Sequence, residues 1–128
     1  MNFSEDKYPL QKESYQIIGI CMEVHRVLGK GLLEIVYKDA IEYELNEKGI
    51  PFEREKKFEV NYKGVILPHC FFADFVIDKN IILEVKSQKE MLDEHYSWVI
   101  NYLALSKCTL GLLINFGGSS LVTKRLVL

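Results

Sequence analysis

Two short apolar runs joined by a polar turn most strongly constrain the fold of this 128-residue chain. The first run is Phe71–Ile77 and the second is Ile81–Lys86, and both are rich in β-branched and aromatic residues. Residues of these types separated by a few turn-forming residues are typical of a β-hairpin. The intervening Asp-Lys-Asn of residues 78–80 has turn chemistry. We therefore predict two antiparallel strands here.

The register of this hairpin brings charged side chains together. If residues 78–80 form the loop, Asp74 lies directly opposite Glu84, and Lys86 projects from the same face as Glu84 because side chains alternate along a strand. Opposed carboxylates have Cβ atoms about 5 Å apart, and like charges at that spacing are destabilising. A divalent cation with oxygen ligands would compensate them. The pattern therefore predicts a metal site.

The simpler interpretation is that each charge marks the polar side of a half-exposed strand. That explanation suffices for a single charge. Here one predicted face is entirely apolar, formed by Phe75, Ile77, Leu83 and Val85. Three charges gather on the other face, which favours a functional site.

Composition predicts one globular domain over residues 1–128, in which residues 1–12 could be flexible. The chain is 48% hydrophobic and 27% charged, as in ordinary globular proteins. No apolar run approaches the roughly 20 residues of a membrane-spanning helix. Residues 1–7 lack the basic start and apolar stretch of a signal peptide. The three cysteines lack zinc-ligand spacing. We therefore expect a cytoplasmic location with no membrane partner.

The net charge of −2 and the isoelectric point near 5.9 argue against a protein that coats nucleic acid by charge alone. They are compatible with a nucleic-acid enzyme, because a carboxylate metal site itself contributes negative charge that bound ions would neutralise.

Hydrophobic periodicity predicts an α/β chain (mixed α+β) in which helices flank a central mixed sheet. The predicted order is ααβββαββ. The helices span 11–28, about 32–48 and about 89–105. The strands comprise a hairpin over 52–68, the two runs described above, a nearly continuous apolar strand at 109–116 and a last strand at 121–128.

Several ordered motifs carry a family resemblance. Gly31, Glu34 and Tyr37 are spaced i, i+3 and i+6 at the start of the second helix, and four further motifs follow. These are Ala-Asp-Phe (73–75), Glu-Val-Lys (84–86), Asn-Tyr-Leu (101–103) and Gly-Leu-Leu-Ile-Asn-Phe (111–116). In this order they resemble the GxxExxY family of the PD-(D/E)xK nuclease-like superfamily, whose members have a restriction-endonuclease-like core.

The resemblance implies a nuclease core that binds Mg²⁺ or Mn²⁺. By position, Asp74 and Glu84 would be metal ligands, the Val85 carbonyl a third, and Glu34 would complete the site. Lys86 would orient the attacking water and stabilise phosphate charge. We thus predict Glu34, Asp74, Glu84 and Lys86 as the catalytic set.

Substrate contacts are predicted for His95, Tyr102 and Tyr37. For His95, a locally hydrogen-bonded position in the helix is an equal alternative. The family commonly carries a glutamine between this histidine and this tyrosine, where the present chain has Trp98. An indole offers one donor and no acceptor. Trp98 could stack on a base, but packing in the core is the favoured interpretation.

The leading functional prediction is a metal-dependent phosphodiester hydrolase acting on nucleic acid, in particular DNA. The alternative is a non-catalytic subunit of the same fold that binds nucleic acid or protein. A domain of this size has little room for recognition elements, so a partner protein or a homo-oligomer could supply specificity.

Overall fold

The computed structural model describes residues 10–128 and confirms the predicted order ααβββαββ. The helices are α1 (Gln11–Leu28), α2 (Glu34–Glu47) and α3 (Asp93–Ser106). The strands are β1 (Phe52–Tyr62), β2 (Val65–Ile77), β3 (Ile81–Lys86), β4 (Leu110–Asn115) and β5 (Val122–Leu126). The prediction that residues 1–12 could be flexible falls largely on residues 1–9, which lie outside the described part. Gln11 and Lys12 belong to α1.

The five strands form one mixed sheet in the order β1-β2-β3-β4-β5. Neighbouring strands are antiparallel except β3 and β4, which are parallel. A parallel pair needs a crossover connection, and α3 provides it. The predicted central mixed sheet flanked by helices is therefore confirmed.

Helices cover both faces of the sheet. One hydrophobic cluster joins α1 and α2 to the sheet residues Phe75, Ile77, Leu83 and Val85, which are the four that the alternation predicted to share a face. A second cluster packs Val99, Tyr102 and Leu103 of α3 against Val76, Ile82 and Leu113. Because β3 and β4 are covered on both sides, they are buried almost throughout.

Two boundaries differ from the prediction by more than two residues. Strand β2 is continuous from Val65 to Ile77, where the sequence indicated a hairpin followed by a separate strand. Its first six residues are all exposed, and three of them, Val65, Ile66 and Cys70, pair with β1. Helix α3 begins at Asp93 instead of near Lys89, so that residues 87–92 form a loop after β3. Within residues 10–128, no helix has the length and apolar character needed to cross a membrane.

Candidate metal and catalytic site

The hairpin of β2 and β3 has the predicted register. Ile77 pairs with Ile81 and Phe75 pairs with Leu83, so the next residues in each strand are Asp74 and Glu84. The regular ladder ends there. The two carboxylates therefore lie at the point where β2 and β3 separate.

Each carboxylate accepts a backbone hydrogen bond from the opposite strand. The Asp74 N–H donates to Glu84 Oε1 over 2.7 Å, and the Val85 N–H donates to Asp74 Oδ2 over 2.8 Å. Asp74 and Glu84 are only 9% and 5% exposed. Hydrogen bonds that an ionised carboxylate accepts are stronger than bonds between neutral groups. They fix both side chains in the gap between the strands.

A lysine from α2 completes this cluster. Lys38 Nζ lies 3.1 Å from Asp74 Oδ1 and 2.6 Å from Glu55 Oε1. Sequence reasoning missed Lys38. The available signal was its position four residues after Glu34, which places both on one side of the helix.

Glu55 was missed as well. It lies opposite Asp74 on β1, between the residues Arg54 and Lys56, which pair regularly with β2. Its φ of 53° is left-handed, which is unusual for a non-glycine residue inside a strand. Such conformations cost about 1–3 kcal/mol and persist only where the surroundings impose them. In sequence, Glu55 is simply one of several alternating charges in β1.

Burial dominates the electrostatics of Glu84. It raises the pKa of the Glu84 carboxyl to about 8, with a further contribution from the charge of Asp74. The hydrogen bond from the Asp74 backbone and the charges of Lys86 and Lys38 act in the opposite direction. Near neutral pH, Glu84 therefore holds a proton for most of the time. This proton and the Lys38 ammonium relieve the repulsion between the carboxylates.

The Lys38 ammonium remains charged despite its surroundings. Burial opposes the charge, but the hydrogen bond to Glu55 and the charge of Asp74 outweigh it and raise the pKa of Lys38. The lysine is therefore a permanent cation at Asp74 over the physiological pH range.

Lys86 ends β3 beside a loop held by β4. The Lys86 carbonyl accepts a hydrogen bond of 2.7 Å from the Phe116 N–H. The buried Asn115 side chain accepts from the Gln88 N–H and donates to the Gln88 carbonyl. A Cβ atom on Gly117 would collide with the Gln88 backbone, so only glycine permits this approach. The start of this loop is thus fixed relative to the sheet.

Tyr37 is a core residue. Its ring is fully buried and stacks on Phe116, with ring centroids 4.4 Å apart. Its hydroxyl donates to the Gly29 carbonyl over 2.7 Å and accepts from the Leu32 N–H over 3.0 Å. This placement argues against the predicted substrate contact. Tyr37 instead holds the loop that precedes α2.

Glu34 is the first residue of α2. The segment just before it is tied to the end of β3, since the Ser87 hydroxyl donates to the carbonyl of Leu32. However, residues 10–128 contain no group of three or more His, Cys, Asp or Glu side chains placed to hold a metal ion. The predicted ligand set of Glu34, Asp74 and Glu84 is therefore not assembled in this structure.

The comparison with protein families decides the assignment. A family model described as the PD-(D/E)XK nuclease superfamily matches residues 11–126. The chain belongs to this superfamily. The paired carboxylates on β2 and β3 and Lys86 thus lie in a nuclease-like fold.

A solved structure supports the same fold. The crystal structure of SSO0001 superposes on 97% of this chain with a TM-score of 0.59, at 22% sequence identity. The chain spans 59% of the length of SSO0001. No curated protein sequence matches the chain.

In this PD-(D/E)XK domain, His95 lies at the start of α3 and is only 5% exposed. Its Nδ1 accepts a hydrogen bond of 2.9 Å from the Leu92 N–H, one of the backbone donors that a helix start leaves without an intrahelical partner. This is the locally bonded position that the sequence left as an alternative to substrate contact.

Tyr102 packs close to the carboxylates. Its hydroxyl donates to the Phe72 carbonyl over 2.8 Å. Burial, followed by the charges of Glu84, Asp74 and Glu55, raises the pKa of Tyr102 well above its ordinary value. The phenol therefore stays protonated, and its hydrogen bond ties α3 to β2 beside the site.

Trp98 is not a core residue, so the favoured interpretation from sequence is wrong. It is 44% exposed. Its ring meets Phe71 edge-on at 5.7 Å between centroids, and Tyr102 at 6.1 Å. The indole thus forms part of the surface on the α3 side of the sheet.

Proposed function

We propose that this PD-(D/E)XK domain is a metal-dependent phosphodiester hydrolase, a nuclease that acts on DNA. The observation that carries the proposal is the pair of buried carboxylates on adjacent strands. Asp74 and Glu84 are cross-bonded to the opposite backbone and attract the Lys38 ammonium to 3.1 Å from Asp74 Oδ1. A buried pair of acidic side chains lowers the stability of a fold unless a cation compensates its charge.

The donor set fits a hard divalent ion such as Mg²⁺ or Mn²⁺. Such ions prefer carboxylate and carbonyl oxygens, and the ammonium of Lys38 already stands in for a cation at Asp74. Asp74 and Glu84 would hold the ion. The family resemblance implies the Val85 carbonyl and Glu34 as further oxygen ligands, although Glu34 is not grouped with the two carboxylates in this structure. A bound divalent ion would polarise the phosphate and lower the pKa of a water molecule.

Lys86 has a separate task in this proposal. Its ammonium has no lone pair and is not a metal ligand, but it is a compact point donor suited to phosphate oxygens. Its charge already acts on Glu84. Lys86 would therefore orient water and stabilise the negative charge that develops on phosphate in the transition state.

Finer assignments rest on the sequence. The ordered motifs favour the GxxExxY group within the superfamily. Composition is the basis for proposing a single domain over residues 1–128 and a cytoplasmic location. Since the domain is small, we propose that a homo-oligomer or a partner protein contributes to specificity.

A non-catalytic role in binding nucleic acid or protein is the second candidate. It is favoured by the direct contact between Lys38 and Asp74 and by the absence of Glu34 from a three-ligand group among residues 10–128. In that case the carboxylates would be a structural ion-pair cluster.

A cleavage assay distinguishes the two candidates. The purified chain would be incubated with single- and double-stranded DNA and RNA in Mg²⁺, Mn²⁺ or a chelator. The proposed function requires metal-dependent cleavage that Asp74→Asn abolishes. Asp39→Asn is the matched control, since Asp39 is an exposed carboxylate on α2. Lack of cleavage of every substrate, together with equal metal-induced thermal shifts in wild type and Asp74→Asn, would support the non-catalytic role.

A further inference from the structure

An aromatic cavity lies on the α3 side of the sheet. It has a volume of about 300 Å³ and is lined by Phe71, Glu94, Ser97, Trp98 and Asn101. Phe71 is half-buried and Trp98 is 44% exposed, so their rings present apolar surface to solvent. The hydroxyl of Ser97, which donates to the Asp93 carbonyl over 3.3 Å, and the amide of Asn101 add polar groups to the lining.

Ring contacts connect this cavity to the carboxylates. The rings of Trp98 and Tyr102 are 6.1 Å apart, and the Tyr102 hydroxyl bonds the Phe72 carbonyl, two residues before Asp74. The charges of Glu84 and Asp74 also act on the Tyr102 phenol. The cavity is therefore a neighbour of the candidate catalytic site.

We propose that Trp98 and Phe71 form a stacking subsite for an unpaired nucleobase, so that the domain engages single-stranded nucleic acid beside Asp74 and Glu84. This inference rests on the proposed function and names its substrate class. The base would lie against the indole, and its hydrogen-bonding edge would face Ser97 and Asn101.

The charges around the cavity favour a base over a phosphate. Glu94 is the one charged residue among the described residues that line it, and this carboxylate would repel a phosphate held in the cavity. A nucleobase is neutral, and every base offers a π-face to an aromatic ring. In a duplex the faces of the bases are already stacked, so a duplex interior cannot use this surface. The occupant that fits is a strand with unpaired bases.

Trp98 is the single tryptophan of the chain, which makes it a direct reporter. Its fluorescence would be titrated with short oligothymidylate, with oligouridylate and with a relaxed circular duplex that has no ends, all in a chelator so that no cleavage occurs. We expect quenching by the single strands and little change with the duplex. The comparison of the two single strands shows whether the sugar affects binding.

Variants test whether stacking supplies affinity. Binding of labelled oligothymidylate would be measured by anisotropy. Trp98→Leu should weaken it by about fivefold or more, the range expected from loss of one stacked base. Trp98→Phe should retain most of the affinity. Tyr43→Leu is the control, because Tyr43 is an exposed aromatic residue on α2. Thermal melting would establish that each variant is folded, and the quenching of the wild type needs no variant at all.

The outcomes separate this inference from the proposed function. Unchanged fluorescence with every single strand, or equal affinity of wild type and folded Trp98→Leu, overturns the subsite even if the protein cleaves DNA. Equal binding of the duplex and the single strand also overturns it. Quenching that persists in Asp74→Asn, with cleavage lost, supports both proposals. Quenching without cleavage in the wild type supports single-strand binding and counts against the hydrolase.

Discussion

Lys38 Nζ lies 3.1 Å from Asp74 Oδ1, and the two residues come from different layers of the fold. The same ammonium bonds Glu55 on β1, so one lysine from α2 bridges two strands of the sheet. The Lys38 ammonium therefore already compensates the negative charge of Asp74 and Glu55. Any divalent ion that uses Asp74 has to compete with it.

This competition predicts the behaviour of Lys38→Met. Without metal, the variant should be less stable by about 1–3 kcal/mol, because Asp74 loses a charged hydrogen-bond donor. With Mg²⁺ or Mn²⁺, its melting temperature should rise more than that of the wild type, because binding no longer displaces an ammonium. Thermal melting with increasing metal would measure both effects.

The matched control is Lys48→Met, which removes an exposed lysine that directly follows α2 and pairs with Glu44 of that helix. Surface pairs contribute at most about 1 kcal/mol, so this variant should respond to metal as the wild type does. A smaller metal-induced shift in Lys38→Met than in Lys48→Met would contradict the competition.

Stability without metal should depend on the ionisation of Glu84. Its pKa is about 8 in the folded chain and 4.5 as the ordinary value, so the folded state binds more protons between these pH values. The contribution of Glu84 to the free energy of unfolding is therefore fully present below about pH 4.5 and is lost as the pH rises through 8. Glu84→Gln should flatten this decline.

Denaturant midpoints measured from pH 5 to about pH 9 would test this linkage. Glu90→Gln is a suitable control, because Glu90 is exposed. If Glu84→Gln and Glu90→Gln showed the same pH profile as the wild type, the buried carboxyl would not be the titrating group.

Lys86→Met should separate catalysis from metal binding. Because an ammonium is not a metal ligand, the variant should lose cleavage while keeping most of the metal-induced rise in melting temperature. Glu84→Gln should lose both. Cleavage rates and thermal shifts would be measured on the same protein samples. Loss of the metal-induced shift in Lys86→Met would assign Lys86 to the metal site instead.

Tyr37 should behave as a structural residue. Tyr37→Phe keeps the stack on Phe116 but leaves the Gly29 carbonyl and the Leu32 N–H without their partner, at a cost of about 1–3 kcal/mol. Tyr37→Ala should cost about 3–5 kcal/mol. Urea denaturation would give both values, with the exposed Tyr43→Phe as a control. A Tyr37→Phe variant of full stability but weakened substrate binding would restore the predicted substrate contact.

The sequence by itself determined the element order and the register that places Asp74 opposite Glu84. Both follow from local chemistry: a period of two along each strand and turn residues at 78–80 leave one pairing in which the apolar face is continuous. Strand β4, which is covered on both faces, could also be predicted from the sequence, because burial on both faces requires an uninterrupted apolar run.

Only the tertiary structure decided which other groups reach that pair. Lys38 and Glu55 contact each other across 17 positions of sequence, and Lys38 and Asp74 across 36, so no local pattern joins them. Trp98 is 44% exposed although it stands at helical spacing from the buried residues His95 and Tyr102, and that spacing alone does not reveal its exposure. Such contacts are known only from the three-dimensional structure, because the packing of helices against the sheet determines which side chains from distant parts of the sequence become neighbours.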